Sequence, residues 1–271
     1  MPIHILLFAG LLAHGFTAPP GHGEVDTNVA SLPTKEQYEK LFPHHHSIYT
    51  YTAFVKAASR FPLFAGEGTP SDRRRELAAF FANIAHETGN GGPGAPGGAY
   101  TWGLYYTEEQ ACQDGHCKQY NTGGTSPFQP VPGRSYHGRG PLQLSYAYNY
   151  GLAGKELGLP LLENPALVST DGVVAFETAL WFWMKEQIPK PSCHQVMTGT
   201  WLPTARDREL NRRPGFGMTI NIINGGIECR PGNPAGKALR EERIGYYKWF
   251  AALLGVELEK ECDCAGMAPY G

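Results

Sequence analysis

Acid–base cleavage of a glycosidic bond needs two carboxyl groups in unlike surroundings. One is protonated and donates to the leaving oxygen; the other is ionised and activates water. Glu87 and Glu109 meet that description. Glu87 closes the segment Phe80-Phe81-Ala82-Asn83-Ile84-Ala85-His86-Glu87-Thr88, where it stands i+7 from Phe80 and i+3 from Ile84. On a helix these three share one face, which is buried if the helix packs at all. Burial disfavours a charged carboxylate, and so does the negative end of the helix dipole in a last turn. A carboxyl kept protonated near neutrality is a general acid. The same residues also fit a glutamate that simply reaches into water from the helix end. Glu109 closes the aromatic run Tyr100-Thr101-Trp102-Gly103-Leu104-Tyr105-Tyr106-Thr107-Glu108-Glu109. A polar, partly wet setting there leaves a carboxylate ionised and able to activate water. An exposed Glu108-Glu109 pair in a loop is the plainer reading, and local sequence alone leaves both open.

The elements that must position this pair are helical. Leu77, Phe80, Phe81, Ile84 and Ala85 fall at i, i+3, i+4, i+7 and i+8, with Ser71 or Asp72 as the cap and Gly89 as the stop. A glycine- and proline-rich loop from Gly89 to Gly98 joins the two glutamates. Pro141 to Gly151 reads as a short helix behind a glycine-bracketed turn. Phe176, Ala179, Leu180, Trp183 and Met184 mark another helix, started near Thr170 or Asp171 and stopped before Pro189. Leu239, Arg243, Tyr246, Tyr247, Phe250 and Leu254 mark a last one. No run of alternating strands stands out, so the predicted fold is mainly α with long irregular loops. The 42% hydrophobic and 18% charged residues among 271 allow a sizeable core, and the 34 glycines and 22 prolines account for the loops. Residues 1–18 are apolar and too short for a stable membrane span; they read as a cleaved secretory signal, or alternatively as a buried terminal segment. Residues 19–46 read as a linker or N-terminal arm, and residues 47–271 as the catalytic domain.

The chemistry around the pair is neutral and aromatic. Tyr136 to Gly151 carries Gln143, Ser145, Tyr148 and Asn149, and Asn221 to Glu228 carries Asn224. Amides and hydroxyls beside tyrosine rings suit a carbohydrate, which is uncharged and rich in hydroxyls. Arg243 lies inside an apolar stripe. A buried guanidinium needs a carboxylate, Glu228 or a catalytic glutamate; a surface arginine with a buried stem is the competing reading. A net charge of -2 gives no basic surface for nucleic acid. No later segment has the length and apolarity of a membrane helix. Six cysteines fit an oxidising, extracellular compartment. No paired C-x-x-C motif occurs, and His44-His45-His46 stands ahead of the domain. No metal and no other cofactor is expected.

Taken together these segments resemble the glycoside hydrolase family 19 chitinases. The resemblance rests on Arg74-Arg75-Glu76-Leu77-Ala78-Ala79-Phe80-Phe81 leading into His86-Glu87-Thr88, on Trp102-Gly103, and on Gly138-Arg139-Gly140-Pro141-Leu142-Gln143-Leu144-Ser145 with Tyr148-Asn149-Tyr150-Gly151. Trp181-Phe182-Trp183-Met184 and Pro214-Gly215-Phe216-Gly217 ahead of Asn221-Ile222-Ile223-Asn224-Gly225-Gly226-Ile227-Glu228-Cys229 complete it. It runs from about Tyr51 to Cys264. It implies a two-lobed, lysozyme-like fold with a cleft for chitin or chitooligosaccharides, a monomeric enzyme, and endo-hydrolysis of β-1,4-linked N-acetylglucosamine with inversion. By motif position Glu87 matches the acid, Glu109 the base and Ser145 the residue that holds the attacking water; Glu108 sits one residue too early. His86, Trp102, Gln143, Tyr148, Asn149 and Asn224 match sugar-binding positions, and Glu228 with Arg243 a charge network behind the acid. Cys112–Cys117 and Cys229–Cys264 match family disulfides. Cys193 and Cys262 have no counterpart and are expected to pair with each other, with Cys229–Cys262 as the alternative. Gly89 stands where plant members carry a second threonine, and Leu104-Tyr105 where a cysteine is common. No cysteine-rich binding module stands ahead of the catalytic region, which leads us to expect weak attachment to crystalline chitin. A muramidase and a catalytically silent chitin-binding protein are the competing functions on the same scaffold.

Overall fold

The computed structural model describes residues 32–92, 94–112 and 117–270; the expected signal segment, 1–18, and the arm up to residue 31 lie outside them. The rest of the expected arm is corrected. Helix α1 (Lys35–Leu41) starts in a capping box between Thr34 and Gln37. It sends Tyr38 and Leu41 into the core, with Phe42 directly behind them. The aromatic residues of this stretch have no sustained period, yet Phe42 packs edge-on against Phe81 at 5.1 Å. The folded domain therefore begins ahead of residue 47 and includes α1.

Helix α2 (Tyr51–Ala58) follows, then α3 (Pro70–Thr88). Thr69, not Ser71 or Asp72, caps α3; Asp72 supplies the return half of the box by accepting from the Thr69 N–H. Every residue from Glu76 to Ala85 is buried, because neighbours cover the helix on all sides. Helix α4 (Ala147–Leu157) begins six residues later than expected and runs on past Gly151. Arg139 and Leu144 exchange two backbone hydrogen bonds, of 3.2 and 2.8 Å, and Gly140 takes φ 74°. Residues 138–146 are thus a tight hairpin-like turn rather than a first helical turn. The chain continues through α5 (Leu167–Thr170) and α6 (Gly172–Met184). Asp171 caps α6 by accepting from the Val173 and Val174 N–H groups. Short helices α7 (Cys193–Thr198) and α8 (Ala205–Glu209) lead to α9 (Phe216–Glu228) and α10 (Pro234–Leu254).

Helix α10 packs along α3 more extensively than any other pair, and α7 and α9 cover further sides of α3. A second, smaller core joins Tyr136, Leu144, Tyr150 and Leu157 to Val174 and Trp181. Helix α6 serves both, with Ala175, Phe176 and Trp183 in the main core. Two lobes thus meet across α6. Among the described residues β-structure is limited to isolated bridges. Cys112–Cys117 and Cys229–Cys264 are disulfides. Cys193 and Cys262 are free, which overturns both the Cys193–Cys262 pairing and its alternative. Cys193 is sealed in the main core, and the Sγ of Cys262 lies against the Glu259 carbonyl at 3.3 Å.

One buried polar knot makes the fold sensitive to pH. Glu76 is fully buried on α3. It accepts from the Ala65 N–H and the Trp183 indole, both at 2.9 Å, and lies 2.6 Å from His194 Nδ1. His194 Nε2 is 2.8 Å from Glu67. Burial opposes a charge on His194, but the hydrogen bonds and fields of Glu76 and Glu67 overcome it and raise the imidazole above its ordinary value. A value raised in the folded state gives stability that is complete below the unfolded value and is lost as pH rises through the folded one. The thermal midpoint of the wild type should therefore fall as pH rises above roughly 6.5, and its advantage over His194→Gln should shrink over the same window. Calorimetry of both proteins across that range checks it; a constant gap would rule out the protonated histidine.

Candidate active site

Glu87 sits in the last turn of α3. The turn is tied to the following strand-like segment by Thr88, whose hydroxyl donates to the Ile84 carbonyl at 2.5 Å and accepts from the Leu104 N–H at 2.8 Å. The Tyr105 and Tyr106 N–H groups both donate to the Thr88 carbonyl. Gly103 allows this close approach: a Cβ there would lie 2.6 Å from that of Ala85. Gly89 is needed in the same way, since a Cβ there would stand 2.6 Å from the Tyr246 hydroxyl. Gly89, where plant members carry a threonine, thus fits against the Tyr246 hydroxyl beside it.

The chain then runs extended beside residues 138–140. The Glu109 N–H donates to the Gly138 carbonyl, and the Gly140 N–H to the Thr107 carbonyl, both at 2.8 Å. Successive side chains of an extended segment point to opposite sides, so Glu108 and Glu109 part ways. Glu108 turns to Arg139 Nε at 3.2 Å and to His137 Nε2 at 3.1 Å. Glu109 turns to the cavity, where the Tyr120 hydroxyl donates to it at 3.3 Å and the Gly138 N–H at 3.4 Å. Burial first, and then the Glu109 carboxylate, push the Tyr120 hydroxyl up to about 12. Tyr120 therefore remains a donor.

Glu87 and Glu109 line one cavity of about 480 Å3 together with Tyr120, Gln143, Ser145, Tyr146, Asn149 and Asn224. The turn carrying Gln143 and Ser145 is held under strain. Gln143 and Tyr146 adopt φ of 49° and 71°, a region costly for residues with a Cβ and concentrated at functional sites. The Ser145 hydroxyl donates to the Gln143 carbonyl and the Asn149 amide to the Ser145 carbonyl, at 2.8 and 2.9 Å. Asn224 departs from helical geometry inside α9, with φ -143°, and donates to Glu228 at 3.0 Å.

Behind Glu87 lies Arg243, fully buried; the competing reading of a surface arginine is therefore excluded. Its Nη2 is 2.7 Å from Glu87 and 2.6 Å from Glu228, its Nε 3.1 Å from Glu228, and its Nη1 donates to the Asn83 side-chain Oδ1 at 3.0 Å. Burial alone would push the Glu228 carboxyl up, but Arg243 reverses this and holds it below the ordinary range. Arg243 and Glu228 form a standing ion pair, and Glu87 is the second carboxyl on the same guanidinium.

The cavity thus gathers Glu87, Glu109, Ser145, Gln143, Asn149 and Asn224, as expected. It does not gather three others. Trp102 stacks on His44 at 4.1 Å and donates to the Pro96 carbonyl. Tyr148 packs edge-on against Phe128 and lines a separate cavity with Tyr270. The His86 ring is nearly buried, 3.2 Å from Glu242. Tyr120 and Tyr146 also line the cavity; Tyr120 packs edge-on against Tyr146 at 5.0 Å and donates to Glu109, contacts that leave no local periodic signal. Among the described residues one cluster has metal-like spacing, Glu109 with Cys112 and Cys117, and its sulfurs are joined as the disulfide.

A strained turn of neutral amides facing two separately held carboxylates matches one enzyme family over most of the chain. The family profile of chitinase class I, glycoside hydrolase family 19, covers residues 35–264. The chain belongs to the family 19 chitinases. The match begins at the first residue of α1, in agreement with the corrected domain boundary. The chain is 51% identical over 223 residues to the acidic endochitinase WIN6 of Populus trichocarpa, which covers 82% of this chain. It spans 63% of the length of that relative. It is also 44% identical over 252 residues to the inactive chitinase-like protein 1 of Hevea brasiliensis, covering 90% of this chain and 77% of that protein. Among solved structures, chitinase C from Streptomyces griseus HUT6037 aligns with a TM-score of 0.63 at 33% identity, over 85% of this chain and 79% of that one.

Proposed function

We propose that this chain is a secreted, monomeric endochitinase that hydrolyses β-1,4-linked N-acetylglucosamine polymers with inversion. The carrying observation is that Glu87 and Glu109 share one cavity, while the nearby acids Glu108 and Glu228 do not line it. The neutral donors and acceptors of Gln143, Asn149 and Asn224 suit an uncharged, acetamido-bearing sugar. The endochitinase name of the poplar relative supports the same substrate, and two disulfides fit an oxidising compartment.

In this reading Glu87 is the general acid. It gives its proton to the leaving oxygen. Once it has donated, the guanidinium at 2.7 Å stabilises the carboxylate that remains. Glu109 is the general base. It takes a proton from a water on the opposite face of the sugar, while Tyr120 donates to its Oε1 and fixes its direction. The Ser145 hydroxyl holds that water. Attack from the far face inverts the anomeric centre, and room for the water requires carboxyl groups about 6.5–9.5 Å apart in the substrate complex. The Hevea relative, an inactive chitinase-like protein, makes a silent chitin binder the contrasting case; the two carboxylates on one cavity favour catalysis.

Proton NMR of fresh hydrolysate is the test. Chitin hexamer should give the α-anomer first, and peptidoglycan should give no product. A dominant β-anomer at early times would mean retention and would remove Glu109 from the role of base. Release of muropeptides without cleavage of the hexamer would replace the substrate.

A further inference from the structure

One residue of the cleft breaks two local rules at once. Tyr146 is the N-cap of α4, yet its side chain makes no capping hydrogen bond. Its backbone stands at φ 71° and ψ 137°, a conformation that strains a residue with a Cβ and that glycine adopts freely. The fold fixes that conformation from both sides. The Tyr146 N–H donates to the Tyr136 carbonyl at 2.8 Å, which closes the turn, and its carbonyl accepts from the Tyr150 N–H at 3.1 Å, which opens the helix. Glycine would meet both demands without strain, and a serine or asparagine would add a cap. Tyrosine offers the backbone nothing at this position, so the reason for it lies in the ring. The ring is not a core residue. It is 47% exposed and lines the cavity that holds Glu87 and Glu109. It also packs against Tyr120 at 5.0 Å, whose hydroxyl donates to Glu109.

We propose that Tyr146 is a substrate-contacting residue whose ring forms the apolar platform for a sugar bound beside Glu109. This rests on the chitinase reading of the cavity. The C–H groups on the face of a pyranose ring are apolar and pack against an aromatic surface, while its hydroxyls and acetamido group are left to Gln143, Asn149 and Asn224. The strained backbone gives the platform its rigidity. A ring held by a turn on one side and a helix on the other is in place before the sugar arrives, so little freedom is lost on binding. A single chain of contacts, Tyr146 to Tyr120 to Glu109, then joins the bound sugar to the base. Residues placed against local preference and braced by their surroundings concentrate at such sites.

Setting activity against stability in three variants of the full chain tests this. With chitin hexamer, Tyr146→Gly and Tyr146→Ala should both lower kcat/KM by roughly 2- to 12-fold, the equivalent of one aromatic face contact. Tyr146→Phe keeps the ring and should recover most of that loss. Thermal midpoints separate a platform from a packing residue. Tyr146→Gly should melt at or above the wild type, because relief of the strained φ offsets the loss of a half-exposed ring. Tyr146→Ala loses the ring but keeps the strain, and should melt below Tyr146→Gly by at least about 2 °C. A wild-type kcat/KM in Tyr146→Gly would overturn the proposal, since the ring would then meet no sugar. A midpoint for Tyr146→Gly well below the wild type would overturn it too, because the lost activity would follow from a weakened fold. A wild type that does not cleave the hexamer would sink the chitinase reading and this proposal with it; a wild type that cleaves it, beside an equally active Tyr146→Gly, would sink this proposal alone.

Discussion

Glu87→Gln should abolish hydrolysis of chitin hexamer while binding is kept. The amide preserves the shape of the side chain and its contact with Arg243 at the cavity wall, but it has no acidic proton for the leaving oxygen. General acid catalysis is worth about 10²–10⁴-fold, so kcat should fall by at least the lower figure. Calorimetric titration of the hexamer into the variant should give an affinity close to that of the wild type, since Gln143, Asn149 and Asn224 are untouched. Near-normal turnover in Glu87→Gln would remove the residue from the role of acid. Loss of both binding and turnover would mean that the carboxylate holds the sugar rather than protonating it.

Arg243→Leu should be the most destabilising single change near the site. Arg243 and Glu228 are both fully buried, and Asn83 and Glu87 also spend hydrogen-bonding capacity on the guanidinium. Removing the cation leaves Glu228 charged and uncompensated, and breaking a buried pair from one side costs about 3–5 kcal/mol. The sign of the pH dependence follows from Glu228. Its carboxyl is held below the ordinary range in the folded protein, so its pairing stabilises above the unfolded value, roughly 4.3, and that stability is lost as pH falls through the folded value. The gap between wild type and Arg243→Leu should be widest near neutrality and should narrow in acid. Urea unfolding at several pH values measures it. Arg243→Leu/Glu228→Leu should recover part of the loss, because the buried charge goes with its partner. A double variant as unstable as the single one would show that the cost lies in packing rather than in the orphaned carboxylate.

Local pattern was enough for the elements that close a helical period within one stretch of chain. The apolar stripe ending at Glu87, the stop at Gly89, the Asp171 cap of α6 and the long run of α10 all depend on neighbours a few residues away, and they stand as read. The family motifs pointed to Glu87, Glu109, Ser145, Gln143, Asn149 and Asn224, which line one cavity, and to the two disulfides. Other features were settled only by contacts between segments distant in sequence. Helix α1 and residues near Phe42 read as an arm because most partners of their aromatic residues lie on α2, α3 and α10, outside the stretch itself. Glu108 and Glu109 are equivalent as letters, and pairing with residues 138–140 decides that one faces Arg139 and the other the cavity. Arg243 was equally a surface or a buried residue until α10 met α3, which placed one guanidinium between Glu87 and Glu228. Cys193 and Cys262 could be paired on paper, but a disulfide needs two sulfurs brought together, and both thiols are free in the fold. The sequence by itself determined which residues can do chemistry and which helices carry them. The tertiary structure decided which of those groups face one another, because charge pairing and burial depend on distances that no local period encodes.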